Sequence, residues 1–196
     1  MHRLAIFASG SGTNAENIIR YFRNDSRIRV SCVCTNRADA LVIRRARQHG
    51  IDVLVFSRND LYGSSKVIDY LEQKEIDWII LAGFLWLVPE NLIRMYNNRI
   101  LNIHPALLPK YGGKGMYGSH VHQAVVTNQD DRSGITIHLI DKEYDKGSIL
   151  FQATCPVYPG DNPDQVAERV HQLEYEHYPR IIEKAVLGEN NARQWP

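Results

Sequence analysis

The sequence has few cysteines, almost no net charge and no long hydrophobic run. Its three cysteines are too few for a disulfide framework, which is typical of proteins from a reducing compartment. Lys and Arg number 23 and Asp and Glu 22, so the net charge of +1 gives no broad basic field to attract nucleic acid. The longest apolar run, residues 78–88, is far below the roughly 20 residues that span a bilayer. These absences predict a soluble cytoplasmic protein without a nucleic-acid or membrane partner.

Linkers, repeats and low-complexity segments are also missing. The apolar run at residues 4–8 is too short for a signal-peptide core, and a glycine-containing loop follows it directly. With no segment that marks an internal boundary, we expect one domain over residues 1–188 and a frayed tail over residues 189–196.

The hydrophobic pattern alternates between strands and helices in the first half of the chain. The predicted strands lie near residues 4–8, 28–35, 51–56, 78–82 and 99–103, and the predicted helices near 13–22, 38–49, 61–74 and 89–96. Because these strands are apolar throughout, they are expected to be covered on both faces. The pattern therefore predicts an α/β protein with a doubly wound, Rossmann-like and mainly parallel sheet.

The pattern changes in the second half. A glycine-rich loop at 112–118 precedes two segments, 134–141 and 149–157, that alternate as half-exposed strands do. They predict an antiparallel extension of the sheet. Asn162 as an N-cap and Pro163 in the first turn then predict the start of a long C-terminal helix that ends at Gly188.

A loop with the sequence SGSGTN, residues 9–14 and here called the glycine loop, joins the first strand to the first helix. Glycines let a ligand approach the backbone, and free N–H groups at a helix N-terminus attract an anion. The loop predicts a phosphate cradle, with a simple tight turn as the alternative. Thr13 and Glu16 also have the spacing of a capping box.

The kind of phosphate remains open from the pattern alone. Gly10, Gly12 and Ala15 fit the fingerprint of a dinucleotide site. That site expects an acidic residue at the end of the second strand, where this chain has none. Arg37 lies there instead and suits the 2′-phosphate of NADP.

Asn102 and His104 lie two residues apart at the carboxyl end of a predicted central strand, where open α/β sheets bind ligands. A carboxylate in a later turn, Asp145, is expected to raise the pKa of His104 and hold the ring as an imidazolium. Amide and imidazolium would then stabilise an oxyanion, as in acyl-type transfer without a covalent nucleophile. A hydrogen-bonded strand end and a solvated hairpin turn are the alternatives.

Four segments together resemble the phosphoribosylglycinamide formyltransferases, folate-dependent enzymes of purine synthesis. They are SGSGTN at 9–14, LAGF at 81–84, LNIHPALLP at 101–109 and DKG at 145–147. The resemblance covers nearly the whole chain and implies the formyltransferase fold. It also implies transfer of the formyl group of 10-formyltetrahydrofolate to the amine of 5′-phosphoribosylglycinamide by direct attack, with folate as cosubstrate and no metal.

The resemblance further implies which residues bind the substrate and which catalyse the reaction. The substrate-binding residues are then Gly12, Thr13 and Asn14, through their backbone at the 5′-phosphate, and Glu174 at the ribonucleotide. The catalytic residues are Asn102 and His104 at the oxyanion, with His104 as proton donor, and Asp145, which keeps His104 charged and passes a proton through water.

A folate pocket is implied by the same resemblance. Its lining is Leu85, Trp86, Leu87 and Val88, here called the folate segment, together with Asn102. Some members of the family carry Arg where this chain has Trp86. A basic residue that contacts the folate glutamate is expected near residues 64–66, without assignment.

Other functions are weighed against this one. A 10-formyltetrahydrofolate hydrolase uses the same Asn, His and Asp but carries an N-terminal regulatory domain. A methionyl-tRNA formyltransferase has a C-terminal RNA-binding domain, which a chain of 196 residues is not expected to include. An NADP-binding module leaves the Asn-Ile-His-Pro segment unexplained. The oligomeric state is not predicted.

Several Cys and His residues fit more than one role. Cys32 and Cys34 are predicted to be buried core cysteines, because no second pair of metal ligands has a suitable spacing. His120 and His122 likewise lack a third ligand. His138 lies in the alternating strand, where it either lines the site near Asp145 or packs in the core.

Overall fold

The computed structural model describes residues 1–141, 145 and 147–189. These residues fall into two compact units, of which the first is Met1–Leu101 and the second begins at Asn102.

The first unit alternates strands and helices along the chain. Its elements are β1 (His2–Phe7), α1 (Thr13–Tyr21), β2 (Ile28–Thr35), α2 (Leu41–Gln48), β3 (Asp52–Val55), α3 (Arg58–Tyr62), α4 (Lys66–Gln73), β4 (Trp78–Leu81) and α5 (Glu90–Met95). β1 pairs in parallel with β2 and β4, and β2 pairs in parallel with β3. The centre of the unit is β1, where Leu4, Ala5 and Ile6 have no exposed surface.

β5 (Ile100–His104) carries the chain into the second unit, which continues with α6 (Ser119–Thr127), β6 (Arg132–Leu139), β7 (Ile149–Pro156) and α7 (Pro163–Val186). β6 and β7 are antiparallel. The seven strands follow the order β3-β2-β1-β4-β5-β6-β7. The predicted Rossmann-like, mainly parallel sheet with an antiparallel C-terminal extension and a long C-terminal helix is confirmed.

The start of α7 follows from its first residues. The Asn162 side chain accepts a hydrogen bond from the Gln165 N–H at 3.0 Å, and the Gln165 side chain accepts one from the Asn162 N–H at 2.9 Å. This capping box, with Pro163 as the first helical residue, satisfies N–H groups that have no partner inside the helix. Val166 and Val170 then face the core.

Two helix predictions are wrong in detail. The helix expected near residues 61–74 is two short helices, α3 and α4, because Ser57 and Asp60 form a capping box that starts a separate turn. α6 was not predicted at all. Its buried face includes His122 beside Val121 and Val125, and a polar residue on the buried face obscures the apolar periodicity.

The capping box predicted from Thr13 and Glu16 is also wrong. The N-cap of α1 is Gly12, in a left-handed conformation with φ 76° and ψ 21°, and it has no side chain to accept a hydrogen bond. Glu16 instead forms ion pairs with Arg20 and Arg45, and its carboxylate lies 3.2 Å from His49 Nε2.

Several smaller expectations have clear outcomes. All three cysteines are free and buried, as predicted for Cys32 and Cys34. No helix in the described ranges is both long and apolar enough to cross a membrane. Of the tail expected to fray, Glu189 donates its N–H to the Lys184 carbonyl at 2.9 Å, and residues 190–196 lie outside the described residues.

Candidate active site

Three predicted catalytic side chains meet in the second unit. β5 places Asn102 and His104 two residues apart on one face, and Asp145 follows β6 in the turn before β7. The His104 Nδ1 atom lies 3.7 Å from Asp145 Oδ2, and these side chains are only 5% and 11% exposed. We call Asn102, His104 and Asp145 the Asn–His–Asp cluster.

His138 connects the members of this cluster. Its Nε2 atom lies 3.0 Å from the Asn102 amide nitrogen and 3.6 Å from Asp145 Oδ1, and the side chain has no exposed surface. Its Nδ1 atom lies 3.0 Å from the Leu139 carbonyl oxygen, so Nδ1 carries the proton and Nε2 is left to accept from Asn102. Of the two roles considered for His138, the structure favours contact with the site.

His104 is oriented by the backbone of Tyr111, the residue just before the loop at 112–118. Its Nε2 atom lies 2.7 Å from the Tyr111 carbonyl oxygen, and a carbonyl can only accept, so Nε2 carries a proton. Asp145 is held by the loop at 112–118, since the Gly113 N–H donates to its Oδ2 at 2.9 Å. Sequence reasoning missed both contacts, because each uses a backbone group that leaves no side-chain signal.

The pKa of His104 differs from the sequence expectation. Burial lowers the pKa below its ordinary value, and the nearby Asp145 and the Tyr111 carbonyl only partly offset this effect. The expectation that Asp145 produces a raised pKa is therefore wrong in the net direction. The desolvation of the ring outweighs the attraction of one carboxylate.

Asp145 shows the opposite balance. Burial alone would raise its pKa, but the nearby His104 and the hydrogen bond from the Gly113 N–H help to lower the pKa below its ordinary value. In the unliganded protein at neutral pH, Asp145 is consequently ionised and the His104 ring is mainly neutral.

The segment after His104 is fixed to the β6–β7 pair. The buried Thr136 hydroxyl donates to the Ala106 carbonyl at 2.7 Å and accepts from the Leu108 N–H at 2.9 Å. Gln152 adds a bond to the Leu108 carbonyl at 3.0 Å. These bonds hold the end of β5 and therefore the direction of the His104 side chain.

The glycine loop lies in the first unit, and two of its six residues, Gly10 and Gly12, have no side chain. Gly12 is buried, and its carbonyl accepts from the Glu16 N–H at 2.9 Å. A Cβ atom at Gly12 would lie 2.5 Å from Val42 Cβ, and its φ of 76° favours glycine. The predicted phosphate-binding residues Thr13 and Asn14 are half-buried in the first turn of α1.

The folate segment is attached to the glycine loop through Ser9. Ser9 donates its N–H to the Gly83 carbonyl at 3.0 Å, and its hydroxyl accepts from the Leu85 N–H at 3.0 Å. The Tyr62 hydroxyl donates to the Leu87 carbonyl at 2.8 Å. Both sides of this segment are therefore held by side chains of the first unit.

Two cations lie near the part of the chain where a folate contact was expected. Arg58 places its guanidinium carbon 5.7 Å from the Trp86 ring and 5.1 Å from the Tyr62 ring. Lys66, within the range 64–66, forms an ion pair with Asp60 at 3.1 Å. Of these two cations, Arg58 is the one that lies over a ring of the folate segment, and sequence spacing did not identify it.

Three remaining residues have different surroundings. Glu174 is 6% exposed on α7. His122 is 2% exposed, and burial lowers its pKa to about 4. Arg37, considered for NADP, is exposed and forms two hydrogen bonds with Asp39, at 3.1 Å and 2.8 Å, so its charge is already partnered.

Within the described ranges, no group of three or more His, Cys, Asp or Glu side chains is placed to hold a metal ion.

Residues 2–182 match the formyl transferase family. The chain belongs to that family. Its match begins in β1 and ends in α7, and it therefore includes every member of the Asn–His–Asp cluster.

Similar formyl transferases come from plants and bacteria. A chloroplastic phosphoribosylglycinamide formyltransferase of Arabidopsis thaliana is 40% identical over 186 residues, covering 92% of this chain and 64% of the relative. The phosphoribosylglycinamide formyltransferase of Haemophilus influenzae is 36% identical over 187 residues, covering 93% of this chain and 86% of the relative. This chain thus spans less than two thirds of the length of the plant relatives, 64% and 60%.

A solved structure gives the same assignment for the fold. Glycinamide ribonucleotide transformylase 1 of Geobacillus kaustophilus matches with a TM-score of 0.86 and 36% identity, covering 95% of this chain and 99% of that one. The formyltransferase fold expected from the resemblance is confirmed.

Proposed function

We propose that this formyl transferase transfers the formyl group of 10-formyltetrahydrofolate to the amine of 5′-phosphoribosylglycinamide. The products are N-formylglycinamide ribonucleotide and tetrahydrofolate, and the reaction belongs to de novo purine biosynthesis. The observation that carries this proposal is the Asn–His–Asp cluster, in which the buried His104 lies 3.7 Å from the half-buried Asp145, in a chain whose relatives have the same named activity.

The cluster suits direct attack of the amine on the formyl carbon. As the new C–N bond forms, negative charge develops on the formyl oxygen, and hydrogen-bond donors aimed at that oxygen lower the barrier. The Asn102 amide nitrogen has two hydrogens and uses one for His138. We assign the other to the formyl oxygen, together with His104.

Protons are handled by His104 and Asp145. As the amine attacks, the ionised Asp145 accepts the amine proton through water and passes it to Nδ1 of the neutral His104, which lies 3.7 Å away. The developing anion favours the charged imidazole that results. When the bond between the formyl carbon and N10 of the folate breaks, His104 donates the same proton to N10. As written, this reaction uses no metal.

Substrate binding is assigned to backbone and apolar groups. We propose that Gly12, Thr13 and Asn14 hold the 5′-phosphate through their N–H groups and that Glu174 contacts the ribonucleotide. Residues 85–88 and Asn102 bind the folate. The three free cysteines suit a reducing compartment, and we place the reaction in the cytoplasm.

The proposal is tested by following 10-formyltetrahydrofolate with and without 5′-phosphoribosylglycinamide. We expect folate turnover to require the ribonucleotide and to yield one formylated ribonucleotide for each tetrahydrofolate. Release of formate at a rate that ignores the ribonucleotide would instead identify a hydrolase. The glycine loop favours the transferase, because a hydrolase has no phosphorylated acceptor to hold.

A further inference from the structure

α2 holds the glycine loop at three successive residues. The Val42 N–H donates to the Gly10 carbonyl at 3.2 Å, and Arg45 Nε donates to the Ser11 carbonyl at 3.0 Å. The Val42 side chain packs where a side chain on Gly12 would lie. One side of the loop is therefore covered by a single helix.

Arg45 is itself held by α1. Its Nη1 atom forms an ion pair with Glu16 Oε2, and the other carboxylate oxygen of Glu16 contacts Arg20 at 2.7 Å and His49 at 3.2 Å. Burial alone would raise the pKa of Glu16, but hydrogen bonds from His49 and Arg45 lower the pKa below its ordinary value. An ionised carboxylate thus fixes the guanidinium that reaches the loop.

These contacts determine where the loop's N–H groups point. A peptide unit is planar and trans, so its carbonyl and the N–H of the next residue point in opposite directions. Holding the Gly10 and Ser11 carbonyls therefore orients the N–H groups of Ser11 and Gly12. The Gly12 carbonyl is held by the Glu16 N–H, which orients the N–H of Thr13 in the same way.

We propose that Arg45, fixed by Glu16, is a positioning residue that keeps the glycine loop in its phosphate-binding conformation without contacting the phosphate. This inference rests on the proposed function only in that the loop is taken to bind the 5′-phosphate. The inference is supported by two contacts of one guanidinium. The Arg45 Nε atom donates to the Ser11 carbonyl, and its Nη1 atom pairs with the Glu16 carboxylate.

Positioning and simple charge attraction give opposite expectations for Glu16→Gln. Removal of a negative charge near an anion site should tighten phosphate binding if charge alone matters. If Glu16 acts by holding Arg45, the same substitution should weaken it. The sign of the effect separates the two explanations.

The test is titration of the full chain with ribose 5-phosphate, together with steady-state kinetics. We expect Arg45→Met and Glu16→Gln each to weaken ribose 5-phosphate binding and to raise the ribonucleotide KM about tenfold, the loss of one charge-assisted hydrogen bond. The kcat and the folate KM should stay within about twofold. Arg47→Met is the matched control, since it removes one exposed arginine of the same helix and should change none of these values.

Arg45→Lys is a second variant for the case in which Arg45→Met does not fold. It keeps the positive charge but lacks the guanidinium Nε–H that donates to the Ser11 carbonyl. If folded by circular dichroism, it should also bind ribose 5-phosphate more weakly than the original chain. Three results would overturn the inference. Glu16→Gln could bind ribose 5-phosphate as tightly as the original chain or more tightly, Arg45→Met could bind it unchanged, or the unsubstituted chain could fail to bind it. Absence of ribonucleotide-dependent transfer would refute the proposed function separately, while the titration still tests the loop.

Discussion

The glycine loop and the Asn–His–Asp cluster present different atoms to a ligand. The loop presents backbone N–H groups, oriented by carbonyls that α1 and α2 hold. The cluster presents side chains, of which His104 is buried and Asn102 and Asp145 are half-buried. The pKa values of His104 and Asp145 are shifted by burial and by each other. Backbone groups do not titrate, whereas the side chains of His104 and Asp145 take up and release protons.

This difference determines which substitutions each region tolerates. In the loop, the backbone conformation is what matters, so the damaging change is a side chain at a glycine with positive φ. In the cluster, the identity of the side chain is what matters, because the groups donate and accept protons. We therefore expect damage to the loop to appear in KM and damage to the cluster to appear in kcat.

The largest expected effect is in the cluster. His104→Ala and Asp145→Asn should each lower kcat by about 10²-fold or more while folate binding is largely kept, because they remove an oxyanion donor or a proton acceptor. Steady-state kinetics at saturating substrates measures this. Asp131→Asn, an exposed aspartate of the same unit, is the control. Turnover close to that of the original protein in either variant would remove that residue from the mechanism.

The next effect is in the glycine loop. Gly12→Val should raise the ribonucleotide KM by about 10-fold to 100-fold, since its Cβ would meet Val42 and its positive φ is strained for valine. Gly10→Ala is a matched comparison, because a Cβ there meets nothing within 4 Å, and its effect should be much smaller. Equal KM values for the two variants would show that the loop conformation does not control ribonucleotide binding.

A third expected effect is the pH dependence of folding in the second unit. Burial lowers the pKa of His122 from 6.5 to about 4. As pH falls, His122 takes up its proton at a higher pH in the unfolded chain than in the folded one. The free energy of unfolding therefore decreases as pH falls from about 6.5 to about 4, and His122 does not change it above that range. The loss from this histidine is between about 3 and about 4 kcal/mol at most, because each pKa unit of this difference corresponds to about 1.4 kcal/mol.

Urea unfolding at pH 7.5 and pH 4.5 measures this contribution. His122→Gln cannot take up the proton, so its free energy of unfolding should fall less between the two pH values than that of the unsubstituted protein. An equal fall in the free energy of unfolding in both proteins would contradict the lowered pKa of His122. A larger fall in the variant would mean that the pKa is raised instead.

The smallest expected effect concerns the folate segment. Arg58→Met should raise the KM for 10-formyltetrahydrofolate about threefold, because the cation near Trp86 is expected to attract the anionic glutamate of the folate. Lys66→Met tests the original expectation of a contact near residues 64–66 and should have less effect. A larger change in Lys66→Met would reassign the contact to that lysine.

The sequence was informative where side-chain spacing defines a face. Asn102 and His104 were placed together because residues two apart on a strand share a face. The start of α7 was predicted because Asn162 and Pro163 act locally. Neither inference needed distant parts of the chain.

The sequence was less informative where distant contacts decide the outcome. The net direction of the His104 pKa depends on depth of burial, which no spacing reveals. Glu16 was assigned to a local capping box, yet its partners include Arg45 and His49 on another helix. The roles of Tyr111 and Gly113 use backbone atoms, which any residue could supply. One domain over residues 1–188 stays a prediction.

The most direct test that the glycine loop binds substrate while the Asn–His–Asp cluster performs the chemistry is the kcat of Gly12→Val at saturating ribonucleotide. Because the loop is assigned to binding and the cluster to chemistry, we expect this kcat to return to within about threefold of the original value despite the raised KM. A kcat that stays as low as that of His104→Ala, at saturating ribonucleotide and in a folded variant, would contradict the separation of the two roles.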